Sequence, residues 1–137
     1  MPETYVLDSY ALLALLGKEE GSDAVADLLQ KTQADEIQTR MTWVNVGEVA
    51  YIVERRWGVG QVYRVLGTLE ATKIDIVPVD RTLVLAAAHI KAEHPLAYAD
   101  AFAAALAMSE GATLVTGDPE FGPLEGDLSI RWITERR

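Results

Sequence analysis

Apolar residues along the chain fall alternately into short continuous runs and into stripes of helical spacing. Residues 4–8 form the first run, apolar through Val6 and Leu7 and ending on Asp8, which predicts a short buried strand with a charged last residue. Ser9 then offers a helix cap, and Leu12, Leu13 and Leu16 trace one face of a helix that stops at Gly17. A second helix opens at Ser22 with Val25, Leu28 and Leu29 on one side. Residues 37–41 predict a strand, after which Val46, Val49, Val53 and Trp57 recur at helical spacing until Gly58 or Gly60. A helix over 61–72 leads to a strand over 74–79. Asp80 caps the next helix, striped by Leu83, Ala86, Ala87 and Ile90, and Pro95 prevents its continuation. Residues 97–110 predict an alanine-rich helix closed by Gly111, followed by a strand over 112–115, a turn-rich loop over 116–126 and a last strand over 128–133.

Strand runs separated by helices specify an α/β fold with a mostly parallel central sheet and helices on both faces. No repeat, low-complexity tract or linker divides the chain, so a single domain over residues 1–137 is expected. In such sheets ligands gather beyond the carboxyl ends of the strands. Asp8 and the Thr116-Gly117-Asp118 segment both fall there.

Composition narrows the chemistry. The 137 residues include no cysteine, which excludes disulfides and thiolate metal sites. Glu3 stands where a signal peptide needs a cation, Asp8 interrupts the apolar start, and the longest unbroken apolar run, over 101–108, is far short of the ~18–20 residues of a membrane span. A cytoplasmic protein without membrane attachment is expected. The formal net charge of −9 opposes nonspecific binding to nucleic acid. That charge is uneven: residues 1–36 carry −6, residues 37–73 carry +2, and residues 74–137 carry −5. The cationic middle third also holds Trp43, Tyr51, Trp57 and Tyr63, either core residues or stacking surfaces for single-stranded RNA.

Four carboxylates stand in unusual surroundings. Asp8 aims from the edge of the first strand towards the crevice, although it would equally serve as a helix cap. Glu48 has apolar Val44 and Ile52 four residues to either side, and the alternative role is an edge glutamate reaching water beside Arg55. Asp100 lies among alanines at 97, 101, 103, 104 and 107, where small neighbours permit close approach; in a first turn it would simply favour the helix dipole. Asp118 precedes Pro119 directly after a strand, which also suits an ordinary turn. Were the four to converge, mutual repulsion would raise their pKa values and call for a positive occupant. Oxygen donors without cysteine, and without a spaced histidine pair, select Mg²⁺ or Mn²⁺ over zinc. His89 and His94 fit no ligand motif, and neither a phosphate-binding glycine loop nor a serine nucleophile motif is present. Tyr10 stands where a haloacid-dehalogenase phosphatase needs its second aspartate, and Ser9 where a receiver domain needs a paired acid.

Four segments taken together carry a resemblance: residues 6–14 around Asp8, Asn45-Val46-Gly47-Glu48-Val49, Tyr98-Ala99-Asp100-Ala101-Phe102, and Thr116-Gly117-Asp118. In this order and spacing they resemble the PIN-domain ribonucleases, and more narrowly the VapC-type toxins of toxin–antitoxin pairs. The resemblance implies a PIN-like domain and a catalytic metal pocket of Asp8, Glu48, Asp100 and Asp118 holding Mg²⁺ or Mn²⁺, with hydroxyl support from Thr116 and Ser9. It also implies an endoribonuclease, a homodimer, and silencing by a VapB-type antitoxin. Two divalent cations would offset less than half of the net −9. RNA would therefore be gathered by a local patch of Arg40, Arg55, Arg56 and Arg64, or by a groove across a dimer. The competing expectation is a catalytically silent PIN-like module that binds RNA or protein.

Overall fold

The computed structural model describes residues 2–135. Five strands, β1 (Thr4–Leu7), β2 (Gln38–Thr42), β3 (Asp75–Val77), β4 (Thr113–Thr116) and β5 (Ile130–Trp132), form one sheet in the order β3-β2-β1-β4-β5. Every neighbouring pair is parallel, so the sheet is wholly rather than mostly parallel. The connections run through α1 (Ser9–Leu16), α2 (Ser22–Gln33), α3 (Trp43–Trp57), α4 (Val59–Ala71), α5 (Arg81–Glu93) and α6 (Tyr98–Glu110), with a 3₁₀ turn at Pro119–Leu124.

Both faces of the sheet are covered, which explains why the central strands read as continuous apolar runs. Successive residues point to opposite faces. Val6 and Leu114 enter a core shared with α5, α6 and Phe121. Leu7, Met41 and Val115 enter a second core shared with α1, α2, α3 and α4. Helix α6 is buried around its whole circumference from Asp100 to Ala107, and its alanines allow the backbone to approach its neighbours closely.

The sequence expectations hold for every element, with local differences. Asp8, not Ser9, is the cap of α1: its side chain accepts from the Ala11 N–H, and Ser9 is already helical. The strand expected over 74–79 pairs only over Asp75–Val77, since Pro78 has no N–H to donate. Thr116 closes β4 instead of opening the loop, and the loop itself winds into the 3₁₀ turn. Gly58, at φ 91°, is the residue that separates α3 from α4, a conformation other residues adopt at a cost.

Candidate metal centre

Register brings the site together. Leu7 pairs with Val115 across β1 and β4, so the next residues along each strand, Asp8 and Thr116, emerge side by side at the carboxyl edge of the sheet. The Thr116 hydroxyl donates to Asp8 Oδ2 and accepts from the Asp118 N–H at 3.0 Å, which links two of the expected acids through one side chain. The other Asp8 oxygen, Oδ1, accepts from the Ala11 N–H at 2.8 Å. Asp118 in turn caps the 3₁₀ turn by accepting from the Glu120 N–H at 3.0 Å.

On the other side of β1, the carboxyl end of β2 runs straight into α3. Thr42 caps α3 by accepting from the Asn45 N–H, and Glu48 follows Asn45 by about one turn. Asp100 lies in the first turn of α6, buried at 8% exposure. The first turns of α1, α3 and α6 therefore meet near the acids, and the positive ends of their dipoles offset part of the negative charge.

Carboxylate oxygens of Asp100, Asp118 and Glu120 lie within 4.8 Å of one another. Asp8 and Glu48 stand outside that tight trio; the charge of Glu48 bears on Asp100, and the charges of Asp100 and Asp118 bear on Asp8. Burial pushes the Asp100 carboxyl up to about 7, and the charges of Asp118, Glu48 and Glu120 push in the same direction. Burial likewise raises Asp8 to about 8. Hydrogen bonds from Thr116 and the Ala11 N–H pull it the other way, and the charges of Asp100 and Asp118 add to the rise. Five acids thus share one region, and among the described residues none of them is ion-paired with a Lys, Arg or His side chain. The donor set is entirely oxygen, and Asp8 and Asp100 hold their protons more tightly than ordinary carboxyls. A hard divalent cation fits such a site.

Glu120 is a further acid of the site that no sequence motif marks. Only the 3₁₀ turn carries it back beside Asp118. Ser9 turns to Asn45 instead: its hydroxyl donates to the Asn45 carbonyl at 3.3 Å and accepts from Asn45 Nδ2 at 3.1 Å.

The four arginines divide. Arg40 sits on β2 with its guanidinium against Asp75 and Glu110. Glu110 ends α6, about 15 Å along the axis from Asp100 at 1.5 Å per residue. Arg40 is therefore remote from the acids, and its charge is already paired. Arg55 and Arg56 close α3 and are exposed, as is Arg64 on α4; Arg56 makes only a long surface contact with Glu19, at 4.0 Å. The Tyr51 hydroxyl reaches Glu48 Oε2 at 3.5 Å, and the Arg55 guanidinium covers the Tyr51 ring at 5.0 Å. Glu48, Tyr51 and Arg55 thus form a ladder from the acids outward over about two helical turns. Trp43, Tyr51, Trp57 and Tyr63 are exposed, Tyr63 by 70%, so the core role is excluded for all four.

A family model described as PIN domain matches residues 5–125 of the chain. The chain belongs to the PIN-domain family. This PIN domain is similar in structure to the DNA-bound VapBC of Salmonella typhimurium, at TM-score 0.72 and 19% identity over 96% of this chain and 98% of that one. It is similar to VapC20 of Mycobacterium tuberculosis, described as a sarcin-ricin loop cleaving toxin, at TM-score 0.72 and 16% identity over 94% and 99%. VapBC2 of Rickettsia felis, bound to a promoter DNA fragment, matches at TM-score 0.71 and 17% identity over 93% and 97%. At these identities the likeness establishes a shared fold. Comparison with curated proteins returns no match. Among the described residues of the PIN domain, no helix is long and apolar enough to cross a membrane.

Proposed function

We propose that this PIN domain is a divalent-metal-dependent endoribonuclease that acts in the cytoplasm as the toxin of a toxin–antitoxin pair. The observation that carries the reading is the convergence of Asp100, Asp118 and Glu120 within 4.8 Å, with Asp8 and Glu48 beside them. Asp100, Asp118 and Glu120 would hold Mg²⁺ or Mn²⁺ directly, and Asp8 and Glu48 would complete the anionic pocket. Such an ion, when bound, supplies an electrophilic contact for the scissile phosphate and lowers the pKa of a coordinated water.

The remaining work belongs to the chain's own side chains. Thr116 fixes the Asp8 carboxylate and the Asp118 backbone relative to each other. Asp8 and Asp100 both bind their protons more tightly than ordinary carboxyls because they are buried among other acids. Arg55, Arg56 and Arg64, with Tyr51 and Trp57 between them, offer RNA a cationic and aromatic approach that the net charge of the chain otherwise denies. Arg40 has no part in that approach. The fold shared with VapBC toxin chains supports a VapB-type antitoxin as partner and a homodimer as the working form. A groove of mixed character, lined by Leu16, Lys18, Val53, Trp57, Gln61 and Val65, with Val59 and Tyr63 exposed nearby on α4, gives such a partner a surface to cover.

The test is cleavage of mixed RNA by the purified chain. Fragments are expected with Mg²⁺ or Mn²⁺, and none with EDTA or with Asp100→Asn. Cleavage that ignores both EDTA and Asp100→Asn refutes the reading, and metal-independent RNA binding without cleavage makes the chain a silent module.

A further inference from the structure

The Asn45 side chain is completely buried, at 0% exposure, and its amide is fully engaged. Nδ2 donates to Ser9 Oγ at 3.1 Å and to the Ala99 carbonyl at 3.1 Å, while Oδ1 accepts from the Thr42 hydroxyl. Ser9 returns a hydrogen bond to the Asn45 carbonyl at 3.3 Å. These partners belong to three different elements. Ser9 immediately follows Asp8, Ala99 immediately precedes Asp100, and Asn45 lies three residues before Glu48 on its own helix.

A polar group buried to this degree is costly unless every hydrogen bond is made, and a fully satisfied network specifies one arrangement of the segments it joins. Asparagine suits the position because one planar group supplies two donors and an acceptor. An apolar residue of similar size would fill the volume but withdraw the side-chain bonds to the Ser9 and Thr42 hydroxyls and the Ala99 carbonyl, leaving only the Asn45 backbone to hold those two hydroxyls.

We propose that Asn45 is a positioning residue: it clamps the first turns of α1, α3 and α6 so that Asp8, Glu48 and Asp100 are held around one cation. It touches neither the ion nor RNA and acts through the backbone beside two of those acids and the helix that carries the third. The inference rests on the metal-site reading above and adds to it the part that sets the acids' mutual distances.

The experiment is calorimetric titration of Mn²⁺ into the unaltered chain, Asn45→Ala, Ser9→Ala and Thr32→Val, each well below its unfolding midpoint. Thr32→Val removes another buried hydroxyl, bonded to Leu28 O and Thr39 on the amino-terminal half of β2, and serves as the control for lost stability. Asn45→Ala is expected to weaken Mn²⁺ binding by about 10- to 100-fold, the range for residues that orient metal ligands. Thr32→Val should bind as the unaltered chain does. Ser9→Ala, which withdraws one partner only, is expected to weaken binding by about 3- to 10-fold and replaces Asn45→Ala if that variant does not fold. Unchanged Mn²⁺ affinity in a folded Asn45→Ala, or in Ser9→Ala standing in for it, overturns the inference alone, as does an equal loss in Thr32→Val. No uptake by the unaltered chain overturns the metal-site reading and this inference with it.

Discussion

Replacing Asp8 by asparagine isolates what burial does to the first carboxylate of the site. The side chain is fully enclosed, and burial moves its pKa from 3.8 to about 8. A group that binds its proton more tightly in the folded protein contributes stability in full below its unfolded pKa and loses it as the pH rises through the folded one. For Asp8 that window runs from pH 3.8 to about 8. At about 1.4 kcal/mol for each tenfold change in proton affinity, the cation-free chain loses on the order of 5 kcal/mol across it. Asparagine does not titrate there. It keeps the Oδ1 acceptor for the Ala11 N–H, and with it the cap of α1, but presents a donor to Thr116, whose hydroxyl must turn, at a cost of about 1 kcal/mol. Asp8→Asn should therefore roughly match the unaltered chain near pH 5 and exceed it at pH 8, the gap widening by about 3.5 kcal/mol between them. Urea unfolding in EDTA at the two pH values measures the difference directly. Parallel stability profiles would mean that Asp8 is an ordinary ionised cap, and the electrostatic reasoning would fail.

Three further outcomes follow from the same geometry. Loading with Mn²⁺ at neutral pH should release protons from Asp8 and Asp100, so calorimetric heats measured in buffers of different ionisation enthalpy should differ; identical heats would contradict the raised pKa values. Gly117→Ala would drive a Cβ into Cε1 of Tyr10 and place it 2.9 Å from Cγ2 of Thr134, so Tyr10 or the Thr116–Asp118 backbone must move. A loss of about 1–3 kcal/mol in unfolding free energy, with weaker RNA cleavage, is expected. Neutralising Arg55 and Arg56 together should weaken RNA binding and flatten its dependence on salt, whereas neutralising Arg40 should leave that dependence unchanged and cost stability through Asp75 and Glu110; the reverse pattern in a binding-versus-salt series would move the RNA track.

Features written in local pattern were legible in the sequence. The apolar run before Asp8, the alanines around Asp100, the Asp80 cap and the Gly111 terminus each predict their element from a few neighbouring residues, and all four stand in the structure. Asp8, Asp100 and Asp118 were legible as a candidate site because strand ends and helix starts in a parallel sheet converge on one edge. What stayed hidden depends on distant partners. Glu120 joins the acids because a 3₁₀ turn begins at Pro119, a local geometry that an Asp-Pro pair does not by itself specify. Asn45 finds Ser9 and Ala99 at sequence separations of 36 and 54. Arg40 looked like a free cation because Asp75 and Glu110 come to it through strand register and the far end of α6. Exposure of the four aromatics was equally beyond pattern, since Trp57 keeps the helical spacing of the core residues Val46, Val49 and Val53 and yet faces outward.

The central claim, that distant carboxylates fold around a single region able to hold a divalent cation, is tested most directly by the anomalous signal of manganese in crystals of the chain soaked with Mn²⁺. The account predicts a peak bounded by Asp100, Asp118 and Glu120 with Asp8 and Glu48 alongside, and its loss in Asp100→Asn. Manganese bound only elsewhere, or a peak that survives Asp100→Asn unchanged, would contradict it.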